Sequence, residues 1–175
     1  MKKIASLLAI SLLMAVLTSC GYHFTQVGGI IPPTAKTIAI SVFINNTFEP
    51  YIDVNVTEAV VNEFLTDGRL RVVSSDAADI VIQGKVTKFE TIPQTYSVAP
   101  YVLSYNVSIT VTITVIDART QRVLLQDSAV TSIFSSTYAV TLENVSQTKL
   151  SKSVAVTNAC QDIASTIRSR VLEGF

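Results

Sequence analysis

Followed for where apolar and polar residues fall, the chain divides into segments of different period. The first is a continuous apolar run of 14 residues, Ile4 to Leu17, behind Lys2 and Lys3. Residues 21–35 have no such pattern, and Gly28-Gly29 and Pro32-Pro33 break regular structure there. Lys36 to Ile44 then alternates as a strand, with Ile38, Ile40, Val42 and Ile44 on one face and Thr37, Ala39, Ser41 and Phe43 on the other. Asn45-Asn46-Thr47 ends it in a turn. From Pro50 the period changes: Ile52, Val56, Val60 and Phe64 lie four apart, with Ala59 on the same side. That spacing predicts an amphipathic helix, opened near Pro50 and closed at Gly68.

A short strand, Arg69 to Val73, and a turn, Ser74–Ala78, lead into a longer strand, Asp79 to Phe89, with Ile80, Ile82, Gly84 and Val86 on one face. Residues 91–100, with Pro93 and Pro100, read as a loop. The cleanest alternation follows. Leu103, Tyr105, Val107, Ile109, Val111, Ile113 and Val115 alternate with Ser104, Asn106, Ser108, Thr110, Thr112 and Thr114. Such strict period two gives a strand with one face packed and the other facing solvent or a partner. Asp117-Ala118-Arg119-Thr120 reverses the chain, and Gln121 to Phe134 returns as the hairpin partner. Residues 135–147 read as a polar loop. The last helix, Lys149 to Leu172, carries Val156, Cys160, Ile163, Ile167 and Val171 on one stripe. The expected fold is therefore α+β, in the order β-α-β-β-β-α: a mostly antiparallel sheet with two helices packed on one face.

The apolar run at the front changes the picture of where the chain lives. A basic start, an apolar centre and small residues before a cut are the layout of a secretory signal peptide. The run is too short to span a membrane, which takes about 20 residues. Leu17-Thr18-Ser19-Cys20 resembles the lipobox of bacterial lipoproteins. That resemblance implies cleavage before Cys20, acylation of its thiol and then of its new amine. It divides the chain into a signal peptide (1–19), a lipidated tether (20–35) and one domain (36–175). One acyl chain holds a protein only reversibly, whereas two or more anchor it stably. In such lipoproteins an Asp after the cysteine commonly retains the chain at the inner membrane. Gly21 stands there instead, which implies the periplasmic face of the outer membrane of a Gram-negative bacterium.

Charge and chemistry narrow the function. The 13 basic side chains less Lys2 and Lys3 leave 11 against 13 acidic ones in the mature chain, a net of −2 and no footprint for nucleic acid. Cys160 has no partner once Cys20 is acylated, and its place on the helical stripe makes it a core residue. The single histidine, His23, lies in the tether, and no phosphate loop, CxxC or metal-ligand spacing occurs. The composition points to a binding or assembly component, with no enzymatic activity and no cofactor.

Cys20-Gly21-Tyr22-His23-Phe24 is similar to the mature start of the LptE family of lipopolysaccharide-assembly lipoproteins. So are Pro32-Pro33 before a first strand, the run Ile40-Ser41-Val42-Phe43-Ile44-Asn45-Asn46-Thr47, Pro50 leading the helix, Ala78 to Gly84, and the turn Asp117-Ala118-Arg119-Thr120. The resemblance implies an α/β fold with two helices on one sheet face, a place inside the β-barrel of LptD, and help in delivering lipopolysaccharide to the cell surface. The Ser/Thr/Asn row from Ser104 to Thr114 suits a polar barrel lumen, and it equally suits plain solvent. Phosphates on such a lipid call for Lys or Arg donors. Residues 91–101 and 135–148 contain no basic side chain, which leaves Lys85, Lys88, Arg119 and Arg122 as candidate contacts. The first strand, helix and Arg69–Val73 also resemble LpoB-type activators of peptidoglycan synthases and CsgG-like secretion lipoproteins, an alternative of another functional class.

Overall fold

The computed structural model describes residues 30–96, 102–132, 136–141 and 144–174, so the expected signal peptide, the expected Cys20 anchor and most of the expected tether lie outside the described residues. Its spine is an antiparallel pair of long strands, β4 (Ile80–Tyr96) and β5 (Val102–Asp117). Before them come β1 (Thr37–Ile40), β2 (Ile44–Asn45), helix α1 (Ile52–Asp67) and β3 (Arg71–Val72); after them come β6 (Val123–Thr131), β7 (Ser136–Ala139) and helix α2 (Val145–Glu173). The sheet order is β3-β1-β4-β5-β6, with β2 added on β4 and β7 on β5. β1 is parallel to both β3 and β4, and β2 is parallel to β4. The sheet is thus mixed. An intervening helix separates β1 from β3, and such a crossover is what joins parallel strands.

The core forms where the apolar stripes meet. Ile80, Ile82 and Val86 of β4 and Val107, Ile109, Val111, Ile113 and Val115 of β5 are buried with Ile52, Val56, Val60 and Phe64 of α1. Val156, Cys160, Ile163, Ile167 and Val171 of α2 complete it. Each large aliphatic side chain so enclosed contributes about 1.5–3 kcal/mol. Gly68 closes α1 in the left-handed conformation (φ 71°), its N–H donating to the Phe64 carbonyl at 3.2 Å. Asn144 opens α2, its side chain accepting from Gln147 N at 3.0 Å. The two helices run parallel: Lys152 near the start of α2 pairs with Glu49 just before α1 (2.7 Å), and Arg168 near the end of α2 pairs with Glu63 (2.7 Å).

Four expectations need correction. The first strand does not alternate through to Ile44. After Ile40 the chain leaves β1, Phe43 turns inward (2% exposed), and Val42 and Ile44 face out at 68% and 54%. The reason is Gly84, whose missing side chain leaves the space that the Phe43 ring fills; a Cβ there would run into the ring. Residues 91–96 are strand and not loop, because β4 continues past Pro93 to Tyr96. Within the polar stretch 135–147, Ser136–Ala139 form β7, which pairs with β5 from Ser104 to Val107. Finally, α2 begins at Val145, since Asn144 supplies the cap.

Candidate functional site: the helix-free face of the sheet

With both helices on one side, the polar row of β5 lies on the other, and it is neither bare nor enclosed. Ser104, Asn106, Ser108, Thr110, Thr112 and Thr114 are all half-buried. Cross-strand partners explain this. Thr110 Oγ1 lies 3.1 Å from Thr131 Oγ1, Thr112 Oγ1 donates to the Ser128 carbonyl at 3.1 Å, and Thr87 Oγ1 donates to the Thr110 carbonyl at 3.1 Å. The hydroxyls are therefore partly spent on neighbouring strands, which stiffens the face.

Two depressions lie on this side. One, of about 620 Å³, is lined by Val42, Ile44, Gln83, Lys85, Thr112 and Gln126 among others. The second, of about 630 Å³, is lined by Asp79, Val81, Gln83, Ile116, Arg119 and Gln121 among others. Both are bordered by Ser41 and Gln83, so together they make a trough down the sheet. Its upper part has an apolar lip, Val42 and Ile44, which exists because the chain flipped at Phe43. Sequence reasoning placed those two residues on one face with Ile38 and Ile40. The available signal was Gly84, a glycine inside a strand, which marks close approach of something large.

The four candidate cations do not converge. Lys85, exposed, stands between Ile44 and Thr112 in the ladder and lines the upper depression. Lys88 follows beyond a break in register and pairs with Glu90 at 2.9 Å. Arg119 and Arg122 sit at the β5–β6 turn, exposed. From Thr112 to Asp117 the strand alone spans about 17 Å, so these are two pairs at opposite ends of the trough. Lys85 and Arg119 line it; Lys88 and Arg122 do not.

The lower end is held by two carboxylates. Asp79 Oδ2 accepts from Lys36 N (2.9 Å), Thr37 N (3.1 Å) and Thr37 Oγ1 (2.9 Å). The Lys36 N–H, then the Thr37 hydroxyl, hold its pKa below the usual carboxylate value, with a smaller contribution from the Arg119 charge. Asp117 Oδ1 accepts from Arg119 N (2.9 Å) and Thr120 N (2.8 Å), and the Thr120 N–H is the main cause of its lowered pKa. These bonds fix the turn that carries Arg119. On the helix side, Cys160 is 1% exposed, and burial pushes its thiol pKa up to about 12. It is a core side chain, as its place on the α2 stripe predicts.

A mixed sheet closed by two parallel helices on one side and left polar and troughed on the other defines a two-layer α+β domain with one sheet face uncovered among the described residues. The chain belongs to the LptE lipopolysaccharide-assembly family, whose profile matches residues 35–171. Solved structures share the fold at low identity. A Xanthomonas campestris protein superposes with a TM-score of 0.58 at 13% identity, covering 81% of this chain and 88% of its own. A minor lipoprotein from Acinetobacter baumannii gives 0.51 at 13%, covering 80% and 92%. The PelC dodecamer from Paraburkholderia phytofirmans gives 0.52 at 13%, covering 82% and 94%. No curated relative matches the sequence.

Proposed function

We propose that this chain is a lipoprotein, acylated at Cys20 and held on the periplasmic face of the outer membrane. There it plugs an LptD-type β-barrel, assists its assembly and helps deliver lipopolysaccharide to the cell surface. The observation that carries the reading is the one-sided sheet, taken with family membership. A half-buried row of hydroxyls and amides, with a small apolar lip at Val42 and Ile44, suits the polar inner wall of a large barrel. The fixed hydroxyls present donors and acceptors without a large ordering cost. Of the four basic side chains, Lys85 and Arg119 are the two placed to meet phosphates in the trough.

Co-purification of the lipidated chain from its own membranes tests this. Recovery of a large outer-membrane β-barrel with the wild-type chain, reduced by Gln83→Arg or Thr112→Arg, is the expected result. Recovery of a penicillin-binding protein in place of a barrel overturns it in favour of an LpoB-type activator. Fatty-acid labelling of wild type but not of Cys20→Ser is expected for the anchor, and equal labelling of the two contradicts it.

A further inference from the structure

Above Val86 the sheet loses its neighbour on one side. β2 ends at Asn45, opposite Val86, while β4 runs on to Tyr96. The ladder determines which backbone groups then face outward. The carbonyls of Ile82 and Val86 accept from Ser41 N (2.9 Å) and Asn46 N (3.0 Å), so even-numbered residues of lower β4 turn their backbone groups toward β1 and β2. The extra residue at Thr87 inverts that parity, placing Lys88, Glu90 and Ile92 opposite Thr110, Ser108 and Asn106. Those β5 positions face β4, because odd-numbered residues of β5 turn the other way: the Ile109 carbonyl accepts from Ser132 N at 2.9 Å. Phe89, Thr91 and Pro93 therefore direct their backbone groups away from β5, to a side where no strand of the described residues pairs with them. Pro93, which has no N–H, occupies one of the positions where the β5 ladder needs none.

That edge is one wall of a cleft of about 440 Å³. The other wall is the loop from Asn46 to Glu49, which beyond the Asn46 N–H on the Val86 carbonyl bonds within itself. Asn45 Oδ1 accepts from Thr47 N (2.8 Å), Asn45 Nδ2 donates to the Glu49 carbonyl (2.8 Å), and Glu49 N donates to Thr47 Oγ1 (3.2 Å). None of these bonds is made to the β4 edge. Phe89 and Tyr138 also line the cleft. Lys152 Nζ stands 5.4 Å from the Phe89 ring centroid and is fixed by both Glu49 oxygens at 2.7 and 2.9 Å. Tyr138 is stacked on Tyr105 with centroids 5.5 Å apart. Both walls and the aromatic lining are thus held in place by contacts of their own.

We infer that this cleft takes up an extended segment of a partner protein by strand addition to β4. Donors at Phe89 and Thr91, and acceptors at Phe89, Thr91 and Pro93, alternate at strand spacing. That pattern matches the main chain of an extended peptide better than it matches an acyl chain or a sugar. The aromatic lining accepts one apolar side chain of the incoming segment, and Pro93 limits the register by ending the run of donors. Identification of the segment as part of the barrel rests on the function proposed above.

Amide hydrogen exchange on the full lipidated chain, alone and in complex with the barrel, reads the edge without any substitution. The Phe89 and Thr91 amides are expected to slow by about ten-fold or more in the complex. Thr91→Pro, which deletes an edge donor and no β5 bond, is expected to reduce barrel recovery while leaving the unfolding midpoint unchanged. Unchanged exchange at both amides in an intact complex overturns the inference and leaves the barrel reading standing. If no barrel accompanies the chain, that reading fails. The edge is then decided with a synthetic decapeptide of alternating Val and Thr, added at millimolar concentration. Slowing of the two amides upholds strand addition, and its absence overturns it.

Discussion

The two faces of β5 are made of adjacent residues on one backbone, yet they do different work. Val107, Ile109, Val111, Ile113 and Val115 are fully buried under the helices, whereas the hydroxyl row between them is half-buried and bonded to its neighbours. The difference teaches that this strand is stabilised from one side only. Substitutions one residue apart therefore separate folding from recognition.

The largest break in that comparison is Ile109→Asp. It forces an unpaired carboxylate into the fully buried core beneath α2 and is expected to cost more than about 4 kcal/mol, enough to unfold the domain in a denaturant titration. Gly84→Ala probes the same face through β4. Its new methyl meets the Phe43 ring, and overpacking of this kind costs about 1–3 kcal/mol. Phe43→Leu in the same chain should recover part of that loss, which a double-mutant cycle measures as coupling between the two sites. Cys160→Ser places a hydroxyl on the buried stripe of α2 and is expected to cost about 1–3 kcal/mol, with Cys160→Ala milder. Slow labelling of native Cys160 by a thiol reagent checks its burial independently.

Acid weakens the lower end of the helix-free face in a defined direction. Asp79 and Asp117 have folded pKa values depressed below the ordinary 3.8, mainly by backbone N–H donors. Their contribution is present above that ordinary value and is lost as pH falls through it toward the lowered one. Asp79→Asn should therefore reduce stability near neutrality and flatten the fall of the unfolding midpoint between about pH 5 and pH 2. The smallest expected effect belongs to Thr110→Asp, which should change stability by about 0.5 kcal/mol or less. Should it destabilise as much as Ile109→Asp, the one-sided sheet is wrong.

What could be read from the amino-acid pattern was whatever a single period decides. The stripes of α1 and α2 and the alternation of β5 carry enough apolar residues to fix element and face together. The failures occur where a long-range contact decides. Phe43 is inside only because Gly84, far along the chain, makes room for it, so no local alternation could assign Val42 and Ile44 to the open face. Ser136–Ala139 is too short and polar to announce a strand; its existence depends on the free edge of β5 between Ser104 and Val107. Pro93 looked like a breaker, but it stands where its missing N–H costs the ladder nothing. The trough was legible only in part. Lys85 and Arg119 were recognised as charges, while the depressions that set them apart from Lys88 and Arg122 are products of packing.

The parallel run of α1 and α2 has an electrical consequence. Peptide dipoles in neighbouring antiparallel helices largely cancel, but here they add, placing roughly half a positive charge at each helix start and half a negative charge at each end. The cross-helix ion pairs, Glu49 with Lys152 and Glu63 with Arg168, offset the side-by-side repulsion of such aligned dipoles. The two helix dipoles are thereby aligned along the sheet: their positive ends lie where β4 and β5 extend beyond β2, their negative ends where the N-terminal segment enters β1. An anionic group seated against that end meets the positive starts of both helices together. The domain's net charge of −2 does not reveal that alignment.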